Sequence, residues 1–198
     1  RTLGIDVANS EQGDKASNVY MEGQWVKKME VYKCPNANAI APNLIYKGVK
    51  LRKHLKLRDG VLRRIPLPDY KLSLNINDLN LDETEIGVDA TGVGTGTVNE
   101  FREFDWAVHA FVANGSVMNH PALVGLIPKS PRTGEPMYDV CNVRSLSFLL
   151  AMMDIREENI GLHSGLDEEL VIQLQFELVA FNLKEGAKGF CLEKKSFA

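Results

Sequence analysis

Three short segments near the amino terminus carry the patterns of hydrophobic and polar residues typical of β-strands, and the third alternates around Val26, Met29 and Val31. The segments cover residues 2–9, 17–21 and 25–32. Glu22 and Gly23 separate the second segment from the third and predict a tight reversal between them. The pattern therefore predicts three antiparallel strands at the start of the chain.

A second pattern, strand then helix then strand, lies between residues 85 and 113. An apolar strand at residues 85–89 leads through a glycine-rich turn into a helix with Val98 and Phe101 on one side. Residues 106–113 form the next predicted strand. This order predicts a pair of parallel strands joined by a right-handed crossover.

The segment between these two patterns differs in character from both. A helix is predicted for residues 39–55, but Pro66, Pro68 and the polar residues 75–82 then interrupt any regular period. We therefore expect residues 35–80 to form an insertion or lid outside the core.

The last third of the chain is predicted to be mainly helical. One helix carries hydrophobic residues around Leu146 and Leu150, and a second begins near Asp167, whose charge suits a helix amino terminus. Residues 128–136 predict a loop or hairpin tip, and residues 189–193 a final strand. The chain as a whole is predicted to be a single α/β domain with a mixed sheet.

Composition narrows the class of protein. The chain has 198 residues, 44% of them hydrophobic, which is enough for one substantial core. No apolar run approaches the roughly 20 residues of a membrane helix, and no signal peptide is visible, so we expect a soluble, intracellular protein without membrane contact. Cys34, Cys141 and Cys191 are widely spaced and odd in number. We expect three reduced thiols, and neither a disulfide framework nor a zinc site.

Two carboxylates stand out chemically because each lies in an apolar strand. Asp6 lies within LGIDVA at residues 3–8, and Asp89 within IGVDATGVG at residues 86–94. An acid in such a strand costs several kcal/mol, on the order of an unpaired buried charge, unless a cation or hydrogen bonds compensate it. If the two strands are neighbours, hard oxygen ligands favour Mg²⁺ or Mn²⁺. A helix-capping role for Asp89 is the structural alternative.

Basic residues are concentrated between Lys47 and Arg64, although the formal net charge of the chain is −3. Eight Lys and Arg residues stand there against the single acid Asp59. Such a cluster can follow a phosphate backbone, and it can equally be the solvated face of a helix. The candidate DNA contacts are Lys50, Arg52, Lys53 and Lys56, together with Lys129 and Arg132.

The order of these motifs resembles the nuclease domain of the large terminase subunit of tailed bacteriophages, an RNase H-like domain. The resemblance rests on the two acid-bearing strands, the Gly13-Asp14 turn, NVRS at residues 142–145 and the acids from Asp167 onward. It spans nearly the whole chain except residues 35–80. It implies an RNase H-like mixed β-sheet flanked by helices, with an insertion after the third strand.

The resemblance also implies an activity, namely hydrolysis of double-stranded DNA by two Mg²⁺ or Mn²⁺ ions during viral genome packaging in the host cytoplasm. Asp6 and Asp89 would be the catalytic metal ligands. The family has a third acidic cluster on a helix after the strand that residues 189–193 represent. Either that cluster lies beyond Ala198, or a carboxylate such as Glu193 or Asp14 takes its place. No GxxxxGK[ST] motif is present, so the family's ATPase domain is expected elsewhere in the full-length chain. That domain, the portal and the small terminase subunit are the implied partners.

Three other classes of protein remain open. An actin-like ATPase or sugar kinase also begins on Gly-Ile-Asp and has a glycine-rich phosphate turn like residues 92–97. A dinucleotide-binding domain is suggested by Gly92-x-Gly94 after a strand, without the third glycine of that motif. The last class is a catalytically inactive DNA-binding or docking module. Binding of nucleotides and metal-dependent cleavage of plasmid DNA distinguish these classes from a nuclease.

Overall fold

The computed structural model describes residues 1–8, 14–48, 54–56, 59–65, 67–75, 79–119, 121–181, 183–186 and 189–192. Backbone contacts divide the chain into two compact units. The first unit consists of Arg1–Phe111 and Leu162–Leu166, and the second of Val112–Gly161 and Asp167–Ala198.

The first unit begins with the three antiparallel strands that the sequence predicts. They are β1 (Thr2–Asp6), β2 (Ala16–Glu22) and β3 (Trp25–Tyr32). β2 pairs with both neighbours in antiparallel register, and the β2–β3 turn contains Gly23 at a φ of 58°. Glycine is favoured there because a side chain disfavours the left-handed region.

The segment after β3 contains one helix and a small hairpin. Helix α1 covers Ile40–Gly48, and strands β4 (His54–Lys56) and β5 (Leu62–Arg64) pair antiparallel as a separate two-stranded sheet. The predicted helix over residues 39–55 is therefore too long, because residues 54–56 are a strand. Among the described basic residues, Lys47 in α1 and Arg63 and Arg64 in β5 therefore do not share the face of one helix.

The strand–helix–strand unit follows as β6 (Glu85–Asp89), α2 (Gly94–Glu103) and β7 (Val108–Phe111). β6 pairs in parallel with β1 on one side and with β7 on the other. A two-residue strand, β8 (Gly161–Leu162), completes a six-stranded sheet in the order β7-β6-β1-β2-β3-β8. The predicted mixed sheet and parallel crossover are thus confirmed.

The core of the first unit lies on one face of this sheet. Alternate residues of β1 and β6, including Ile5 and Val88, are buried there in one cluster with residues of α2 such as Phe101. The same cluster contains residues of the segment between β3 and β6: Ala39, Ile40, Ala41, Leu44, Ile45, Leu72, Leu74 and Leu79. The expectation that residues 35–80 lie outside the core is therefore wrong. Helix α1 is needed to cover the apolar face of the sheet.

The second unit is mainly helical, as predicted. It contains α3 (Pro121–Val124), α4 (Val143–Arg156), α5 (Glu168–Ala180) and the hairpin β9 (Leu183–Gly186) and β10 (Gly189–Leu192). Asn142 caps α4 by accepting the Ser145 N–H, and Asp167 caps α5 by accepting the Glu169 N–H, both at 2.9 Å. No helix among the described residues is long and apolar enough to cross a membrane.

Two of the three cysteines are bonded to each other. Cys141, just before α4, and Cys191, in β10, form a disulfide with a Cα–Cα distance of 5.4 Å. Backbone hydrogen bonds between the same two segments run from Cys141 N to Phe190 O and from Phe190 N to Asp139 O. The expectation of three reduced thiols is therefore wrong, and only the buried Cys34 is a thiol among the described cysteines.

Candidate functional site

The register of the parallel pair β1–β6 brings the two strand-borne acids together. Ile5 pairs with Val88, and Asp6 and Asp89 are the next residue of each strand. Adjacent strands lie about 4.8 Å apart, so the two Cα atoms lie side by side at the same edge of the sheet. The distance along the chain between them, 83 residues, gave no indication of this proximity.

Both carboxylates are on the face of the sheet opposite the core. Ile5 and Val88 are buried, and successive side chains of a strand point to opposite faces. Asp6 is accordingly exposed and Asp89 half-buried. Two carboxylates held this close repel each other, and a divalent cation bound between them relieves the repulsion. Their chemistry therefore fits one side of an Mg²⁺ or Mn²⁺ site.

The turn after β6 fixes the position of Asp89. Its Oδ1 atom accepts the Thr91 N–H at 2.9 Å. The cap residue of α2 is Val93, with no side-chain cap hydrogen bond. Asp89 is therefore not the cap of this helix, and the structural alternative from the sequence is excluded.

Small residues allow α2 to begin directly against this turn. A Cβ atom on Gly94 would overlap the carbonyl oxygen of Asp89, so only glycine permits this approach of helix and strand end. Thr95 Oγ1 donates to Ala90 O at 3.0 Å, and the buried Thr97 Oγ1 donates to Ala37 O at 2.8 Å. The glycine-rich sequence thus serves to hold Asp89 rigidly.

Beside the two acids, each of the two adjacent strands has a glycine, so the sheet carries no side chain at that level. Gly4 and Gly87 are register partners in β1 and β6, each two residues before an acid and on the same face. A Cβ atom on Gly87 would meet nothing within 4 Å. This exposed backbone was not identified from the sequence, although the repeated Gly-x-Asp pattern in both strands was the available signal.

A buried polar network lies on the core face of the neighbouring strands β2 and β3. Asn18 Nδ2 donates to Glu30 Oε1 at 2.7 Å, and Tyr32 Oη donates to Asn18 Oδ1 at 3.2 Å. Burial chiefly raises the pKa of Tyr32, and the negative charges of Glu30 and Asp6 raise it further. Tyr32 therefore stays a neutral donor and helps to hold β2 and β3 in register beside β1.

The third metal ligand expected by resemblance is not found among the described residues. They contain no group of three or more His, Cys, Asp or Glu side chains that could hold a metal ion. Asp14 is exposed and precedes β2 at the edge of the sheet where Asp6 lies, but it belongs to no such group. Glu193 lies outside the described residues.

The structure describes only some of the basic residues between Lys47 and Arg64 that were considered as DNA contacts. Lys50, Arg52 and Lys53 lie outside the described residues, and Lys56 is in β4. Lys47 is tied to the fold by donating to the Leu74 carbonyl. Arg63 and Arg64 in β5 are exposed.

The other two predicted contacts, Lys129 and Arg132, belong to the second unit. Both are exposed in a turn that is closed by a bridge between Lys129 and Pro136, which confirms the predicted hairpin tip.

No protein-family model matches this sequence, and no curated protein matches it. Solved structures do match its fold. One is a mutant nuclease domain of the large terminase subunit gp2 of bacterial virus Sf6 with manganese and β-thujaplicinol, at a TM-score of 0.57 and 16% sequence identity. The match covers 97% of this chain and 76% of that chain.

A second structure of the nuclease domain of Sf6 gp2 gives the same TM-score at 15% identity, covering 98% of this chain and 77% of that chain. The six-stranded mixed sheet flanked by helices thus matches the RNase H-like fold of a terminase nuclease domain, as the sequence resemblance predicted.

Proposed function

We propose that this chain is a metal-dependent endonuclease domain that hydrolyses duplex DNA. The observation that carries the proposal is the placement of Asp6 and Asp89 side by side at the ends of two parallel strands, on the face away from the core. Carboxylates on rigid strands hold a fixed geometry better than carboxylates on loops do.

Asp6 and Asp89 would hold the divalent ions, Mg²⁺ or Mn²⁺. When bound, two such ions would supply positive charge for the attacking and leaving oxygens of a phosphodiester. The protein's own contribution is positional, because the Thr91 N–H orients one oxygen of Asp89 and Gly94 keeps the following helix against the turn.

The structural neighbours support the nuclease class, since both are nuclease domains and one was solved with manganese. By the same likeness, we propose that the chain acts in viral genome packaging. Its partners would be an ATPase domain of the same full-length chain, the portal and the small terminase subunit.

Exposed cations would bind the DNA without reading its sequence. Arg63, Arg64, Lys129 and Arg132 are all exposed. Contacts of Lys and Arg with phosphates position a duplex and carry no direct base information. We therefore propose largely nonspecific cleavage.

Cleavage of supercoiled plasmid tests the proposal. We expect nicking and linearisation with Mg²⁺ or Mn²⁺, none in excess chelator, and loss of activity in Asp6→Asn and Asp89→Asn. Asp167→Asn is the matched control, because Asp167 also accepts an N–H two residues later but lies in the second unit. Full cleavage in excess chelator would refute the proposal, and metal-independent binding without cleavage would assign a docking module instead.

A further inference from the structure

Helix α5 exposes a stripe of large apolar side chains. Ile172, Phe176 and Val179 are 44%, 75% and 82% exposed. Their spacing of four and three residues places them along one side of the helix, which is the spacing of an interhelical seam. We refer to these three residues as the α5 stripe.

The fold already uses another side of α5 for its own packing. Leu170, Val171 and Leu174 are only partly exposed, and Phe181, just after the helix, stacks edge-on against Phe148 of α4 with ring centroids 5.4 Å apart. The α5 stripe is therefore not the side that attaches the helix to its own unit. Scattered apolar residues on a surface need no explanation, but a continuous stripe at seam spacing marks an interaction site.

Polar and acidic residues flank the stripe on both sides. At 100° per residue, Glu168 and Gln175 lie along one border, and Glu169 and Gln173 along the other. The segment from Asp167 to Ala180 contains four acids and no Lys or Arg. An apolar seam bordered by negative charge selects a partner whose own borders are positive.

We propose that the α5 stripe binds an amphipathic α-helix of another protein, with an apolar seam flanked by Lys and Arg. The 13 residues of α5 span about 20 Å, or just under two heptads, which suits a partner helix of about two heptads or more. A second copy of this chain fits less well, because its α5 would bring Glu and Gln, and no cation, against the same borders.

A designed peptide of about three heptads tests the proposal, with Leu at the seam positions and Lys at the flanking positions. The comparison peptide has Glu at the flanking positions and is otherwise identical. We measure binding of each by fluorescence anisotropy to the whole chain and to Phe176→Ser, with Leu67→Ser as the control because Leu67 is also largely exposed and lies outside α5.

We expect the Lys peptide to bind at least about tenfold more tightly than the Glu peptide at about 0.1 M salt, with the difference reduced at about 0.5 M. Phe176→Ser should lose this binding while Leu67→Ser keeps it, and circular dichroism should show both variants folded. Equal binding of the two peptides, no binding, or binding unchanged in Phe176→Ser would overturn the proposal. Dimerisation of the chain that Phe176→Ser abolishes would assign the stripe to a second copy, which also overturns it.

Discussion

Asp6 and Asp89 end two adjacent parallel strands at the same level, because Ile5 and Val88, the residues before them, are register partners. The pairing places both carboxylates at one edge of the sheet on the face away from the core. This relationship turns two separate acids into one candidate metal site.

Metal binding should depend on both acids of this pair. Asp6→Asn or Asp89→Asn should weaken Mn²⁺ binding at least about tenfold, because each change removes a negative charge and an oxygen ligand. Isothermal calorimetry without DNA measures this separately from cleavage. Asp14→Asn is the informative comparison. Binding unaltered in both strand variants would place the metal elsewhere, and a loss in Asp14→Asn as large as theirs would make Asp14 a ligand.

Filling the surface beside the acids should block DNA without harming the fold. Gly87→Val adds a β-branched side chain in a strand, where nothing lies within 4 Å of the new Cβ atom, so stability should hold or rise by up to about 1 kcal/mol. Plasmid cleavage should fall at least about tenfold if duplex DNA lies against this face. Gly87→Ala should show a smaller loss. Undiminished cleavage in a folded Gly87→Val protein would show that DNA does not bind against this face of the sheet.

The basic residues predicted from the sequence should act through phosphates. Neutralising Lys50, Arg52, Lys53 and Lys56 together should weaken binding to all duplex sequences alike and flatten its salt dependence, since each lost phosphate contact removes about one released counterion. The measurement is a salt titration of DNA affinity in an Asp89→Asn background, which separates binding from cleavage. Neutralising Lys129 and Arg132 in the same assay tests whether the second unit also contacts phosphates. An unchanged dependence of affinity on salt would show that the four residues do not contact phosphates.

The disulfide should stabilise the second unit. Cys141→Ser should lower the free energy of unfolding by about 2–4 kcal/mol, because the bond closes a loop between residues 50 positions apart and joins β10 to the start of α4. Reductant should have the same effect on the native chain and none on this variant. Cys34→Ser serves as the control, because it should remain sensitive to reductant. Urea unfolding of all three proteins, with and without dithiothreitol, measures these changes in the free energy of unfolding.

The free energy of unfolding should fall at alkaline pH, in part because Tyr32 is buried. Its pKa is raised, chiefly by burial, so the folded chain keeps the Tyr32 proton at a pH where the unfolded chain, with a tyrosine pKa of about 10, releases it. This contribution to stability is therefore fully present below about pH 10 and declines as pH rises further. Tyr32→Phe, which cannot ionise, should show a shallower decline in denaturant titrations across that range. Identical slopes for Tyr32→Phe and the native chain would contradict this linkage.

The sequence by itself determined the local elements and the candidate acids. Short apolar segments bounded by turn residues identified β1, β2, β3 and β6, and the Gly-rich turn predicted α2, because these signals depend on residues that are close in the chain. Asp6 and Asp89 stood out since a charge in an apolar strand requires compensation.

Only the tertiary structure decided which distant residues meet. The register that aligns Asp6 with Asp89, the bond between Cys141 and Cys191, and the burial of α1 against the sheet each join residues far apart in the chain. Residues 35–80 were misread because their prolines and polar residues resemble a surface loop, whereas their apolar residues cover the sheet. Local periodicity reports which face of an element is apolar, but the partner of that face is set by packing across the whole unit.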